Sequence, residues 1–89
     1  MNEILLITTQ GCAGCNIMYK LILQAVNQSS KKINVIRRLH TDLDRHWLSE
    51  HGIKDFPTTV FKKNGDVRFK TVGTNPVPVI VRWIDIYFK

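Results

Sequence analysis

An α/β chain running β-α-β-α-β-β-α follows from three observations. The apolar run Ile4-Leu5-Leu6-Ile7 is followed closely by a stretch with helical periodicity, a second β-branched run spans Ile33 to Leu39, and Asn64-Gly65 separates two further strand-like runs. Strands alternating with helices indicate a parallel pair, and the Asn-Gly turn adds an antiparallel hairpin. At 89 residues the chain suits one domain over 1–89, burying roughly 60–65% of its unfolded surface.

Each element has its own justification. Ile4 to Thr8 is apolar without alternation, as in a strand covered on both faces. Ile17, Met18, Leu21, Ile22, Ala25 and Val26 share one face of a helix from Ala13 to about Asn27, ended by Ser29-Ser30-Lys31-Lys32. Ile33 to Leu39 supplies the second strand. Thr41-Asp42-Leu43-Asp44 reads as a capping-box start to a short helix carrying Leu43, Trp47 and Leu48, closed at Gly52, where a left-handed residue suits a helix end. Thr58 to Phe61 and Val67 to Val72 flank Lys63-Asn64-Gly65-Asp66 as a hairpin. Val79, Ile80, Trp83, Ile84, Tyr87 and Phe88 return at helical spacing, with Asn75 expected as the cap and prolines near the first turn.

The chemistry sits at the first strand-to-helix junction. Cys12-Ala13-Gly14-Cys15 contains both cysteines of the chain. A C-x-x-C there reads as a dithiol/disulfide redox pair. At a helix start, the Cys12 thiolate faces unpaired backbone N–H groups and the positive end of the helix dipole, which favours its ionised form. Cys12 is therefore expected to attack and Cys15, one turn on, to resolve. A purely structural bridge closing four residues would restrict the unfolded chain by only about 1.9 kcal/mol in the loop-entropy model. A zinc site would need two of His40, His46 and His51 to complete the shell, and nothing in the sequence places two of them beside the cysteines.

Beyond the cysteines, His51-Gly52-Ile53-Lys54-Asp55-Phe56-Pro57-Thr58, then Phe61-Lys62-Lys63-Asn64-Gly65-Asp66-Val67, then Val72-Gly73 resemble the second half of a thioredoxin. With the C-x-x-C the likeness covers nearly the whole chain, at the length of the compact, glutaredoxin-sized members. It implies a minimal thioredoxin-like fold with a four-stranded mixed sheet in the order 2-1-3-4. It also implies a cis proline at Pro57 facing the cysteines, whose preceding backbone pairs with an extended substrate segment. Phe56, Pro57 and Thr58 are then substrate contacts, with Gly73 and Thr74 as the adjoining rim and Gly11, Ala13 and Gly14 around the cysteines themselves. The implied activity is thiol-disulfide exchange on protein disulfides, an electron-transport role in cell redox homeostasis. No bound cofactor is implied beyond the redox-active Cys12–Cys15 disulfide, and no metal.

The chain departs from the thioredoxin pattern at Gln10-Gly11, where Trp usually precedes the first cysteine, at Ala13-Gly14, where Gly-Pro is usual, and at Leu6, where the family has a buried acid. A glutathione-dependent glutaredoxin is the nearest alternative. Thr9-Gln10-Gly11, Ala13-Gly14 and Gly73-Thr74-Asn75 fit its usual basic, aromatic and Gly-Gly-acidic signatures poorly, which favours protein dithiols and an electron donor of the thioredoxin-reductase type. A redox-silent adaptor with the same groove is a third reading. Asp42 and Asp44 are expected to cap rather than catalyse.

Thirteen Lys and Arg against seven Asp and Glu give a formal charge of +6. Lys31, Lys32, Arg37, Arg38, Lys62, Lys63, Arg68 and Lys70 are expected to form a solvated basic face; no recognition motif accompanies them, so nucleic acid is not the expected partner. The apolar runs are too short for a bilayer, and Met1-Asn2-Glu3 lacks the basic start of a signal peptide, so a cytoplasmic monomer is expected. Trp47 and Trp83 are expected to pack.

Overall fold

The computed structural model describes residues 1–89. In chain order it contains β1 (Asn2–Thr8), α1 (Ala13–Gln28), β2 (Ile33–Leu39), a 3-10 turn (His40–Asp42), α2 (Arg45–Glu50), β3 (Thr58–Lys63), β4 (Asp66–Val72) and α3 (Val77–Tyr87). The strands form one sheet in the order β2-β1-β3-β4, β1 lying parallel to β2 and antiparallel to β3. This is the thioredoxin-like architecture, with helices on both faces of a mixed sheet.

Period-two alternation divides β1 between two cores. Ile4 and Leu6 pack with Met18, Ile22 and Ala25 of α1, with Ile80 and Ile84 of α3, and with Phe61 and Phe88. Leu5 and Ile7 point the other way, onto Val60 and Ile53 with Leu43, Trp47 and Leu48 around them. This double coverage explains the unbroken apolar run. Phe61 anchors the first core, its ring 5.5 Å from Phe88, 5.8 Å from Phe69, 6.2 Å from Trp83 and 6.3 Å from Tyr87. Both tryptophans are half-buried against these cores.

The hairpin turns on Asn64 and Gly65, both at positive φ (53° and 86°), the combination a two-residue turn needs to match strand twist. Phe61 pairs with Phe69 and Lys62 with Val67, leaving Arg68 as the extra residue of a bulge. The bulge reverses the alternation, so Val67 and Phe69, two residues apart, serve opposite cores.

The helix boundaries refine the sequence reading in three places. The buried stripe of α1 is Cys15, Met18, Ile22 and Ala25, and Ile17 stands off it, 54% exposed. Thr41 does not cap the second helix. His40–Asp42 is a separate turn, and Asp44 is the cap, its carboxylate accepting from the N–H groups of His46 (2.7 Å) and Trp47 (3.2 Å). Asn75 does not cap the third helix either. Pro76 holds that position without a side-chain bond, and its carbonyl accepts from Val79 and Ile80. Gly52 does close α2, with φ 63°; Gly52 N–H donates to Ser49 and Ile53 N–H to Leu48 at 2.9 Å, a Schellman pair that docks Ile53 beside Leu48. No helix is long and apolar enough to cross a membrane.

Candidate active site

β1 ends at Thr8, and Gly11, at φ 69°, turns the chain into α1. Cys12 follows with extended backbone as the N-cap of α1. Its Sγ accepts the N–H of Cys15 at 3.0 Å, the bond a polar side chain makes at a helix start. The two cysteines are joined as a disulfide with Cα atoms 5.2 Å apart. They differ sharply in access: Cys15 is fully buried beneath the helix, whereas Cys12 is partly exposed. The first turn of α1 contains no acidic residue, so nothing there opposes negative charge on Cys12.

The loop before β3 comes up against this turn. The Phe56–Pro57 bond is cis, and Pro57 is buried. A Cβ placed on Gly14 would lie 3.7 Å from Cδ of Pro57 and 3.9 Å from Cγ2 of Thr74, so the helix start, the proline loop and the segment before α3 meet at Gly14. Gly73, at φ 89°, donates its N–H to the Pro57 carbonyl at 2.8 Å and ties the last two together. Phe56 is half-buried with its ring stacked on His40, centroids 4.6 Å apart. Its N–H and carbonyl make no backbone hydrogen bond. Gly11 and Ala13 lie exposed beside Cys12.

Thr58 sits differently from its neighbours. It is buried, its hydroxyl donates to the Asp55 carbonyl at 2.5 Å, and it opens β3, paired with Ile7 and Val72. Its side chain braces the loop from inside instead of facing the groove.

The other side of Cys12 holds a residue that the sequence reading put on a general basic face. A polar cavity of about 570 Å³ is lined by Gln10, Cys12, Ala13, Asn16, Arg37 and Leu39, among others. Arg37 lies opposite Leu6 in the β1/β2 register, in phase with Ile33 and Val35, which pack on the α1 side of the sheet. Its Nη2 donates to Asn16 Oδ1 at 2.6 Å, and its Cζ stands 5.3 Å from the centroid of the Tyr19 ring. The phase of the strand was the available signal. The rest of the basic set disperses: Lys62 pairs with Glu3 at 3.8 Å and lies over Trp47, Lys70 bonds the His51 carbonyl, and Arg38 bonds the Arg37 carbonyl. Leu6, in place of the family's buried acid, is fully buried core. Two of the three histidines are engaged by aromatic rings, His51 on Trp47 and His40 on Phe56.

Comparison with known proteins gives a consistent picture. No protein-family model matches the chain. A thioredoxin from Rickettsia bellii (strain RML369-C) is 24% identical over 74 residues, covering 83% of this chain and 70% of that protein. The solved structure of a mutant thioredoxin from Halobacterium salinarum NRC-1 superposes with a TM-score of 0.78 at 17% identity, covering 99% of this chain and 75% of the other. The fold and the sheet order are thioredoxin-like, and the sequence is similar to that of a thioredoxin over most of its length.

Proposed function

We propose that the protein is a thiol-disulfide oxidoreductase in which Cys12 is the nucleophile and Cys15 the resolving thiol. The observation that carries this is the asymmetry of the pair: one sulfur is accessible at a helix N-cap, and the other is buried one turn below it. In the reducing direction the Cys12 thiolate attacks one sulfur of a substrate disulfide, forming a mixed disulfide and expelling the first substrate thiolate. Cys15, having lost its proton, then attacks Cys12 Sγ. That step forms the intramolecular disulfide and releases the second thiolate, so two electrons pass to the substrate. Exchange in the opposite direction retraces the same steps.

Substrate docking uses the backbone of Phe56, whose free N–H and carbonyl suit an extended segment, with Pro57, Gly14, Gly73 and Thr74 as the floor and rim. Thr58 contributes by holding the loop. Protein disulfides are the substrates on this reading, a thioredoxin-reductase-type flavoenzyme the electron donor, and the working unit a cytoplasmic monomer of one domain.

Dithiothreitol-driven reduction of insulin disulfides tests the assignment. Cys12→Ser is expected to abolish exchange, and Cys15→Ser to accumulate a mixed disulfide visible as an adduct by intact-mass spectrometry. Exchange retained by Cys12→Ser overturns the assignment of roles, and an inactive native protein overturns the enzymatic reading.

A further inference from the structure

We propose that Arg37 is a specificity residue that binds a carboxylate of the substrate peptide in the polar cavity beside Cys12, so that disulfides flanked by Asp or Glu are preferred. The inference rests on the exchange activity proposed above and adds the chemistry of its substrate.

The position of Arg37 is the first argument. Ile33 and Val35 pack on the α1 side of the sheet, and the next in-phase residue of β2 is not apolar but a half-buried arginine. Its side chain runs along α1 past the Tyr19 ring and ends at Asn16. Asn16 is four residues after Cys12 and so shares its helix face. The guanidinium and the accessible sulfur therefore line the same cavity.

Its orientation is the second argument. The ring of Tyr19 and the amide oxygen of Asn16 fix the fork before any substrate arrives, which removes part of the entropy cost of binding. A guanidinium has five N–H donors, and the described interactions use one, at Nη2. The remainder suit a carboxylate, which a planar fork can hold bidentately.

The third argument is charge. No Asp or Glu lines the cavity, the one ion pair of the protein is Lys62 with Glu3, and the first turn of α1 has no acidic side chain. Arg37 thus carries an uncompensated positive charge into a pocket that already faces the positive end of α1. β2 and β3 flank β1 on opposite sides, so a substrate cysteine over Cys12 would have the Phe56 backbone on one side and Arg37 on the other.

The test uses two disulfide-linked peptides identical except for Glu or Gln beside the cysteine, with kcat/KM measured for each in dithiothreitol-driven reduction. The native protein is expected to favour the Glu peptide by about tenfold, the lower end for a hydrogen bond to a charged group, and the preference should shrink with added salt. Arg37→Gln should bring the ratio to about one and Arg37→Glu should invert it; the Gln peptide serves in each case as the internal measure of folded, active protein. An equal rate on both peptides, or a ratio untouched by Arg37→Glu, overturns the inference while leaving the exchange activity standing. An Arg37-dependent preference seen with glutathione disulfide but not with the Glu peptide overturns the peptide assignment, and no exchange with any disulfide overturns both readings.

Discussion

Thr59 is fully buried in β3, between Leu6 and Thr71, and its hydroxyl has no hydrogen-bond partner. A buried, unpaired polar group costs about 1–3 kcal/mol, and replacing it with an apolar group of the same shape removes that cost. Thr59→Val is therefore expected to stabilise the fold by about 1 kcal/mol, read as a higher urea midpoint at constant slope; a lower midpoint would show that the hydroxyl has a partner. At this scale the candidate site was legible where chemistry is local. Cys12 and Cys15 declare themselves by spacing, and Gly11 and Gly73 occupy positive-φ turns that their residue type anticipates. Thr58 and Arg37 were not legible, because which way each side chain points depends on strand phase and on neighbours distant in sequence: Asp55 and Ile7 for the one, Asn16 and Tyr19 for the other.

The helices show how local signals decide boundaries. Both Thr41 and Asp44 are good capping types, but the 3-10 turn at His40–Asp42 consumes the first, and the Asp44 carboxylate collects two N–H groups. In a six-residue helix that cap is a large share of what orders it. Asp44→Ala is expected to destabilise the protein by about 1 kcal/mol in chemical denaturation, and Asp44→Asn, which keeps the accepting oxygen, by much less. Gly14 lies in the first turn of α1, and a methyl group there would meet Pro57 and Thr74 at ordinary contact distances of 3.7 and 3.9 Å. Gly14→Ala should accordingly raise stability, by up to about 1 kcal/mol from helix propensity, while slowing insulin reduction, because the methyl narrows the gap between the disulfide and the proline loop. A variant that is both more stable and equally fast would show that this gap is not where substrate lies.

For the molecule as a whole, Phe61 is the residue on which the larger core converges, with four aromatic rings around it. Phe61→Ala should cost about 3–5 kcal/mol, a large part of the roughly 5–15 kcal/mol available to a typical domain, and circular dichroism should show a markedly lower melting temperature. Element order was readable from periodicity and turn residues, since each is a property of a short window. The unbroken apolar run of β1 also announced a strand covered on both faces, but sheet order was not readable, because pairing β1 between β2 and β3 joins residues far apart in the chain; only likeness to a family supplied it beforehand. The bulge at Arg68 is invisible to alternation for the same reason, as it is defined by its partner strand. The order β2-β1-β3-β4 also leaves two rims of unpaired amides on β2 and β4. Asn34 and Arg38 stand exposed on one rim strand and Asp66, Arg68 and Lys70 on the other. A second molecule approaching edge-on must desolvate those polar and charged side chains before it can add to the ladder, and at a formal charge of +6 it is also repelled from afar, which disfavours fibril growth at high concentration.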